Sequence, residues 1–226
     1  MGEIIYRDIG LIDYMAAWAF QKKFFSEVLN SKQNKAQHSN KNYLILCEHP
    51  HVYTLGKSGS ESNLLINQIQ LKAQEASFYK TDRGGDITYH GPGQIVGYPI
   101  LDLEMLGICL KEYVYRIEET IIKTLKEFSI SAERLEGATG VWIDTQTTEA
   151  RKICAIGVKA SKYVTMHGFA FNINTDLDYF KSINPCGFTD KSVTSMEKEL
   201  GGKQDMEKVK TVVKSKFAEV FEVHFD

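Results

Sequence analysis

A glycine-rich stretch with one histidine occupies residues 83–94 and has the composition of a reactive loop. It holds four glycines, a proline and His90 between two apolar, strand-like runs. Glycine permits backbone torsions and close approaches that a side chain would prevent, as a loop pressed against a substrate requires. The stretch therefore indicates a substrate-binding loop, although an ordinary Gly/Pro turn with an exposed histidine would have the same composition.

A lysine and a cysteine in later segments could supply the reacting groups. Lys152 lies in segment 151–159, and Cys186 lies between Pro185 and Gly187, where a turn would leave its thiol accessible. A thiol is a good nucleophile only as the thiolate, and a nearby ammonium lowers its pKa. The residues alone leave open that Cys186 is a small buried residue and that Lys152 is a solvated charge at a strand end.

Cys154 is a rival thiol because it lies two residues from Lys152. Alternate residues of a strand share a face, so proximity alone could nominate Cys154 as the nucleophile. Ile156 and Val158 would share that face, and their apolar side chains favour a core position for Cys154.

Cys47, His49 and His51 stand at alternate positions and invite a metal hypothesis. No second cluster follows at a spacing typical of zinc sites, so a metal site is disfavoured. We expect His49 to fix a turn or to line the pocket. The sequence thus predicts neither a metal nor a cofactor.

Composition excludes several classes of function. The chain has 226 residues, and 27 basic against 29 acidic side chains give a formal charge of −2, which does not indicate a nucleic-acid-binding surface. The start lacks the pattern of a secretory signal, and no apolar run approaches membrane-spanning length. Four dispersed cysteines do not resemble a disulfide framework. We therefore expect a cytoplasmic protein that binds no membrane.

Hydrophobic periodicity predicts helices at both ends of the chain and strands in its middle. This segregation favours an α+β fold with a mixed or antiparallel sheet in one domain over residues 1–226. Asp13 is placed to cap the first helix, and Pro99 suggests an edge strand or a bulge. The predicted helices cover 13–29, 110–128 and 205–221, with a helical turn near Ile69 and Leu71; the predicted strands cover 43–47, 95–103, 139–144, 152–160 and 165–174; residues 30–42 are predicted as a loop.

Together these segments resemble the octanoyltransferases of lipoate synthesis, also called lipoyl(octanoyl) transferases. The shared motifs appear in the family's order from about residue 43 to residue 190, which makes the match specific. Two departures stand out: His51 replaces a proline of many relatives, and Cys154 is an extra thiol. The motifs are 48–50 with 53–56, 83–94 running into 97–99, 140–142, 151–153 with 155–158, 167–170, 172–177 and 185–187.

The resemblance implies a mixed β-sheet flanked by helices, as in the biotin and lipoate protein ligases. It implies transfer of an octanoyl group from octanoyl acyl carrier protein to a lysine of lipoyl domains. The acceptors would be the E2 subunits of 2-oxoacid dehydrogenases and the glycine cleavage H protein. Cys186 matches the cysteine that carries the acyl thioester, and Lys152 matches the lysine that tunes or deprotonates it.

Three segments match the lining of the acyl-substrate site in the family. We expect His90 to have a role in the pocket other than proton transfer. We expect backbone N–H groups of the glycine loop and of 168–170 to stabilise the thioester oxyanion. The predicted substrate-binding residues are Arg83, Gly84, Gly85, Asp86, Ile87, Thr88, Tyr89, His90, Ala155, Ile156, Gly157, Gly168, Phe169 and Ala170.

Two other classes of protein remain as alternatives. An ATP-dependent lipoate or biotin protein ligase would share the implied fold, but no convincing nucleotide-phosphate motif is present, and such an enzyme needs no acyl-cysteine. A non-catalytic protein that binds lipoyl domains or acyl carrier protein would show tight binding without turnover.

Overall fold

The structure, a computed structural model, describes residues 3–33, 41–184 and 192–226. The helices are α1 (Tyr14–Gln33), α2 (Gln68–Ala73), α3 (Leu110–Glu127), α4 (Met196–Leu200) and α5 (Met206–Phe221), with 3-10 helices at Glu61–Asn63 and Leu177–Ser182. The strands are β1 (Glu3–Leu11), β2 (Asn42–Glu48), β3 (Val52–Leu55), β4 (Ser77–Lys80), β5 (Ile87–His90), β6 (Gln94–Ile100), β7 (Glu133–Leu135), β8 (Ala138–Ile143), β9 (Arg151–Ser161), β10 (Val164–Asn172), β11 (Ser192–Val193) and β12 (His224–Phe225).

Nine of these described strands form one mixed sheet, which confirms the predicted fold class. The strand order is β12-β1-β2-β6-β10-β9-β8-β7, and β11 adds to β9. The pairs β1–β12, β1–β2 and β9–β11 are parallel, whereas the other pairs are antiparallel. A second sheet of order β4-β3-β5 carries part of the glycine-rich stretch.

Helices cover both faces of the large sheet. Strand β2 shows how: Leu44 and Leu46 belong to the core cluster under α3 and α5, whereas Tyr43, Ile45 and Cys47 belong to the cluster under α1. Successive side chains of a strand point to opposite faces, so a strand covered on both sides becomes a continuous apolar run. The predicted strand 43–47 has that composition for this reason.

Three predictions about single elements need correction. The predicted loop 30–42 is too long at both ends, since α1 continues to Gln33 and β2 begins at Asn42. The polar side chains predict a loop. Lys32 nevertheless stabilises the last turn of α1, because its Nζ lies 2.7 Å from Asp102 Oδ1 and 2.6 Å from Glu104 Oε2. The long first strand, β1, is not among the predicted strands, because its polar residues interrupt the apolar pattern.

Pro99 does not mark an edge strand, because β6 lies between β2 and β10. The Pro99 carbonyl accepts a hydrogen bond of 2.9 Å from Thr165 Oγ1 of β10. The nitrogen of a strand residue faces the same neighbour as its carbonyl, so the missing N–H also faces β10. The ladder between these two strands ends at Gly97, so proline removes no ladder hydrogen bond.

We predict that Asp13→Ala lowers the free energy of unfolding by about 1 kcal/mol, the usual cost of losing an N-cap. Asp13 Oδ1 accepts hydrogen bonds from the backbone N–H groups of Met15 at 2.9 Å and Ala16 at 3.1 Å. Urea denaturation measures the loss. Asp13→Asn keeps the accepting oxygen and should stay close to the parent; equal losses in both variants would contradict capping.

Candidate active site

A cavity of about 570 Å³ lies between the glycine-rich stretch and the β9–β10 hairpin. Residues of both sheets line it, and α1 and α3 contribute Tyr14 and Val114. The lining residues are Tyr14, Arg83, Gly84, Gly85, Asp86, Ile87, Thr88, His90, Gln94, Val96, Tyr98, Val114, Gly137, Ala138, Thr139, Trp142, Lys152, Ala155, Ile156, Gly157, Val158, His167, Gly168, Phe169, Ala170, Asn172, Phe180, Ser192 and Val193.

The structure brings Lys152 and thirteen of the fourteen predicted substrate-binding residues to this cavity. Tyr89 is the exception. Its ring stacks on Tyr179 at 4.8 Å and packs against Tyr53 at 5.5 Å in a separate core cluster. Because residues 87–90 form a strand, Tyr89 points away from its neighbours Thr88 and His90. The glycines on both sides of this short strand predict a loop throughout residues 83–94, so the alternation of side chains along the strand is missed.

His51, the residue that departs from the family pattern, belongs to the same aromatic cluster. Its ring stacks on Tyr179 at 4.2 Å, and its Nδ1 lies 2.7 Å from the Tyr89 hydroxyl. Burial lowers the pKa of His51, so a neutral ring accepts the hydrogen bond from Tyr89. His51 therefore joins β3 and β5 to the 3-10 helix Leu177–Ser182.

The glycine-rich stretch is pressed against β9. The Gly84 N–H donates to the Val158 carbonyl at 2.8 Å. A Cβ on Gly157 would lie 2.9 Å from the Gly84 carbonyl oxygen, so only glycine permits this contact. Since the Gly84 N–H is used within the protein, it is not a donor for a substrate oxyanion.

Gly168, Phe169 and Ala170 line the cavity but do not offer the expected row of oxyanion donors. Phe169 and Ala170 pair with β6 on one side and with β9 on the other. Their N–H groups therefore face ladder partners. In this strand the wall is formed by side chains rather than by free backbone donors.

Arg83 is buried and anchors the glycine-rich stretch to β3. Its Nη2 donates to the Thr54 carbonyl at 2.6 Å and to Thr54 Oγ1 at 3.0 Å, and its Nη1 donates to the Gly84 carbonyl at 3.0 Å. A buried guanidinium is stable only when such acceptors surround it. The first residue of the stretch therefore fixes its position.

His90 is held at both ring nitrogens. Nδ1 lies 2.9 Å from Gln94 Oε1 and Nε2 lies 3.2 Å from Thr54 Oγ1. Burial lowers the pKa of His90 to about 3, so the ring is neutral; Nδ1 donates to Gln94 and Nε2 accepts from Thr54. Both nitrogens hold the loop, which leaves neither one for a substrate oxygen.

These contacts continue as a buried hydrogen-bond chain across both sheets to the lysine strand. Each member donates to the next, and the chain ends where the Thr194 N–H donates to the Lys152 carbonyl at 2.9 Å. The buried hydrogen-bond chain runs through Arg83, Thr54, His90, Gln94, Asn172, Thr194 and Lys152.

Lys152 extends into the cavity beside an aromatic ring. Its Nζ lies 4.6 Å from the centroid of the Trp142 ring, a cation–π distance. Gly140 makes room: at φ +125° it has a backbone conformation that suits glycine, and an added Cβ would lie 3.4 Å from Lys152 Cε and 2.5 Å from the Cys154 carbonyl oxygen. The motif 140–142 thus supports the lysine from the neighbouring strand.

Of the two candidate thiols, the described residues include Cys154. Cys154 is buried in the core, as predicted, and does not line the cavity. Burial raises the pKa of Cys154 far above its usual range, although Lys152 opposes the shift. Cys186, in segment 185–191, lies outside the described residues. Ser192 and Val193, which follow that segment, line the cavity, and Val193 pairs with Lys152.

Lys152 and Cys154 do not share a strand face as predicted, because the pairing of β8 with β9 is irregular between them. Their register shifts between Val141, which pairs with Cys154, and Trp142, which pairs with Lys152. Ile153 and Cys154 are consecutive, yet both are buried in the same core cluster. A shift of this kind interrupts the alternation on which the prediction rests.

His49 fixes a turn, as expected. Its Nδ1 donates to the Ile12 carbonyl at 2.7 Å, and its Nε2 lies 2.7 Å from the Tyr98 hydroxyl and 3.6 Å from Cys47 Sγ.

Within residues 3–33, 41–184 and 192–226, no three His, Cys, Asp or Glu side chains form a group able to hold a metal ion. Among the described helices, none has the length and apolar character needed to cross a bilayer.

His167 is a cavity residue that the predicted set leaves out, although it begins the quoted motif 167–170. Its Nε2 lies 2.7 Å from Asp82 Oδ1, and Lys159 Nζ lies 2.5 Å from Asp82 Oδ2. Burial opposes ionisation of Asp82, but hydrogen bonds from Lys159 and His167 lower its pKa overall. Burial lowers the pKa of His167 to about 4 despite Asp82, so His167 is neutral.

Known proteins share both the sequence and the fold. The family model of the lipoyl protein ligase A/B catalytic domain matches residues 13–218. An octanoyltransferase from Bacteroides fragilis is 55% identical over 206 residues, which cover 91% of this chain and 92% of the relative. An octanoyltransferase from Parabacteroides distasonis is 54% identical over 217 residues, which cover 96% and 97%.

Solved structures of ligases share the fold at low sequence identity. A bipartite lipoate protein ligase from Thermoplasma acidophilum has a TM-score of 0.73 at 14% identity over 100% of this chain and 86% of its own. Lipoate-protein ligase A bound with ATP has a TM-score of 0.70 at 14% identity over 100% and 87%. Biotin protein ligase from Aquifex aeolicus has a TM-score of 0.55 at 11% identity over 98% and 71%. These likenesses confirm the predicted fold.

We predict that His90→Gln makes stability less dependent on pH. The unfolded state takes up a proton near pH 6.5, whereas folded His90 does so only near pH 3. Below pH 6.5 the unfolded state therefore binds more protons. As the pH is lowered, this group reduces the free energy of unfolding by up to about 1.4 kcal/mol per pH unit.

Urea denaturation at pH 7 and pH 5 measures this effect. The parent should lose up to about 2 kcal/mol more than His90→Gln over this interval. His224→Gln, at an exposed position, is the control and should keep the parent's slope. Identical slopes in His90→Gln and the parent would contradict a neutral, buried His90.

Proposed function

Since this chain belongs to the octanoyltransferases of the lipoyl protein ligase A/B catalytic-domain family, we propose that it carries octanoyl groups from acyl carrier protein to lipoyl domains. As an acyltransferase it forms an amide on an acceptor lysine. In the proposal the whole chain, residues 1–226, works as one catalytic domain without a cofactor. The acceptors would be E2 subunits of 2-oxoacid dehydrogenases and the glycine cleavage H protein.

Cys186 is the proposed nucleophile. Its thiolate would attack the carbonyl carbon of the phosphopantetheine thioester, and the bond from that carbon to the pantetheine sulfur would break. The departing thiolate takes up a proton. The amine of the acceptor lysine would then attack the new thioester, release Cys186 as a thiolate and lose one proton as the amide forms.

Lys152 is the proposed partner of that thiol. An ammonium near a sulfur stabilises the thiolate, most strongly where water is excluded. After passing on its proton, Lys152 could accept one from the incoming amine and so act as its general base. The observation that carries the proposal is that Lys152 extends into the cavity beside β11, the strand that follows segment 185–191.

The cavity is the proposed site of the octanoyl chain. Its lining includes Val96, Ile156, Val158 and Phe169, whose apolar side chains suit a hydrocarbon. Burying the chain could contribute roughly 5 kcal/mol at ~0.8 kcal/mol per methylene. A difference of one methylene is worth only about 1–3 kcal/mol, so we expect a graded rather than strict preference for eight carbons. A cytoplasmic location stays a prediction.

We predict that the parent forms one octanoyl adduct when mixed with octanoyl acyl carrier protein in the absence of an acceptor. Intact-mass measurement should show the adduct in the parent and in Cys154→Ala, and no adduct in Cys186→Ser or Cys186→Ala. An adduct that maps to Cys154 would overturn the assignment. ATP-dependent attachment of free octanoate that persists in Cys186→Ala would instead indicate a ligase.

We predict that Lys152→Ala slows the formation of this adduct and raises the pKa of the reactive thiol. The rate of alkylation by iodoacetamide against pH measures that pKa, with Cys186→Ser as the blank for the other thiols. Lys152→Arg keeps a positive charge, so it should keep more of the low thiol pKa than Lys152→Ala does. An alkylation profile that is unchanged in Lys152→Ala would argue against the tuning role.

A further inference from the structure

Three buried polar atoms lie together between α1 and β10 without satisfying their hydrogen-bonding capacity. They are Trp18 Nε1, Gln21 Nε2 and His167 Nδ1, and none of them has a hydrogen-bond partner among the described residues. Gln21 is fully buried and His167 is 1% exposed. Unsatisfied buried polar groups are rare in folded proteins and call for a ligand or an ordered water.

Contacts between the side chains show that the three atoms belong to one cluster. Gln21 Oε1 accepts a hydrogen bond of 3.1 Å from the His167 N–H, and the Trp18 and His167 rings are 6.0 Å apart. Trp18 and Gln21 are three residues apart in α1 and so lie on the same side of the helix. We call Trp18, Gln21 and His167 the polar cluster.

The chemistry of the polar cluster is fixed by its surroundings. His167 donates from Nε2 to the Asp82 carboxylate, which Lys159 also neutralises. Nδ1 of the neutral ring is then a bare acceptor. Trp18 Nε1 and Gln21 Nε2 are donors only. The cluster thus presents two kinds of donor and one acceptor, which a hydroxyl group or a water molecule can satisfy together.

Tyr98 borders the polar cluster without completing it. Burial raises the pKa of Tyr98 well above its usual range, and the Gln21 side chain is one of the neighbours that lower it. The Tyr98 hydroxyl donates to His49 Nε2 at 2.7 Å, yet Gln21 Nε2 makes no full hydrogen bond to it. Tyr98 and His167 both line the cavity, so the cluster adjoins its wall.

The polar cluster lies at the opposite end of the cavity from Lys152. His167 pairs with Val158 of β9, six residues along the strand from Lys152, which corresponds to about 20 Å. An acyl chain whose carbonyl lies near Lys152 would therefore point its far end towards the polar cluster. Between the two ends, Ile156 and Phe169 form an apolar wall.

We propose that the polar cluster is a subsite for a hydrogen-bonding group, a hydroxyl being the class that fits, on the far end of an acyl chain. This inference rests on the proposed function, in which the cavity holds the chain. A plain octanoyl chain leaves the cluster to water, whereas an ω-hydroxyacyl chain of matching length places its hydroxyl at the cluster. The enzyme then accepts acyl chains with a polar end that an entirely apolar tunnel would reject.

The test compares pantetheine thioesters of octanoate with those of 6-hydroxyhexanoate, 8-hydroxyoctanoate and 10-hydroxydecanoate. Calorimetry on the Cys186→Ala variant gives a Kd for each chain without turnover. A hydroxyl buried without a partner weakens binding by about ten- to a hundredfold. We expect at least one ω-hydroxy chain to bind within about threefold of octanoyl, and its length locates the subsite.

Substitutions in the same background connect that affinity to the polar cluster. Trp18→Phe keeps the aromatic bulk but loses the N–H, so it should weaken the best ω-hydroxy chain relative to octanoyl by about tenfold. Gln21→Met, which removes the amide donors, should shift the ratio in the same direction. Phe20→Leu, at an exposed position on the same helix, is the control and should leave the ratio unchanged.

Two outcomes overturn the subsite: every ω-hydroxy chain binds more than about threefold more weakly than octanoyl, or Trp18→Phe weakens both kinds of chain equally. Failure of the proposed function has a different signature. In that case octanoyl acyl carrier protein leaves no adduct on the chain with Cys186 intact, whatever the ratio of the affinities.

Discussion

The buried hydrogen-bond chain from Arg83 to Lys152 is the constraint on which the rest of the site depends. It starts on the glycine-rich stretch, crosses the small sheet at Thr54 and His90, and enters the large sheet at Gln94. Each of these groups is buried, so the loss of one partner would leave a neighbour unsatisfied at a cost of about 1–3 kcal/mol. The two sheets are therefore held in one relative position beside the cavity.

That constraint explains the burial of groups that would otherwise favour water. Arg83 retains its charge among carbonyl acceptors, whereas His90 is kept neutral because burial and the nearby Arg83 charge oppose a proton. Both residues hold the loop and remain in the cavity wall. The Lys152 amino group lies elsewhere in the lining, beside the ring of Trp142. The cavity thus combines a fixed polar frame with an apolar interior.

The two ends of the cavity have different chemistry. Lys152 and β11 form the end where the proposed acyl transfer takes place. The polar cluster adjoins the other end through His167, and its members Trp18 and Gln21 belong to α1. The helix contributes through its N-terminal turns, which Asp13 caps. Stability of α1, the shape of the acyl site and the character of its far end are therefore linked through one element.

Much of the fold follows from local patterns. The amphipathic α3 and α5, the doubly covered β2 and the β9–β10 hairpin can be predicted because periodicity reflects burial directly. The residues predicted from the motifs supply fourteen of the twenty-nine residues that line the cavity, since their glycines mark close backbone contacts. The same patterns place Tyr89 and the pair Lys152 and Cys154 on the wrong faces, because a short strand inside a glycine-rich stretch and a register shift are not local properties.

The sequence by itself determined the family, the mixed sheet between helices and the segments that form the cavity. These are encoded in composition, spacing and motif order. Only the tertiary structure decided that Pro99 lies in an interior strand and that Trp18, Gln21 and His167 meet. The physical reason is that hydrogen-bond partners and burial depend on residues brought together from distant positions, about 150 apart for Trp18 and His167, and no local pattern records such a contact.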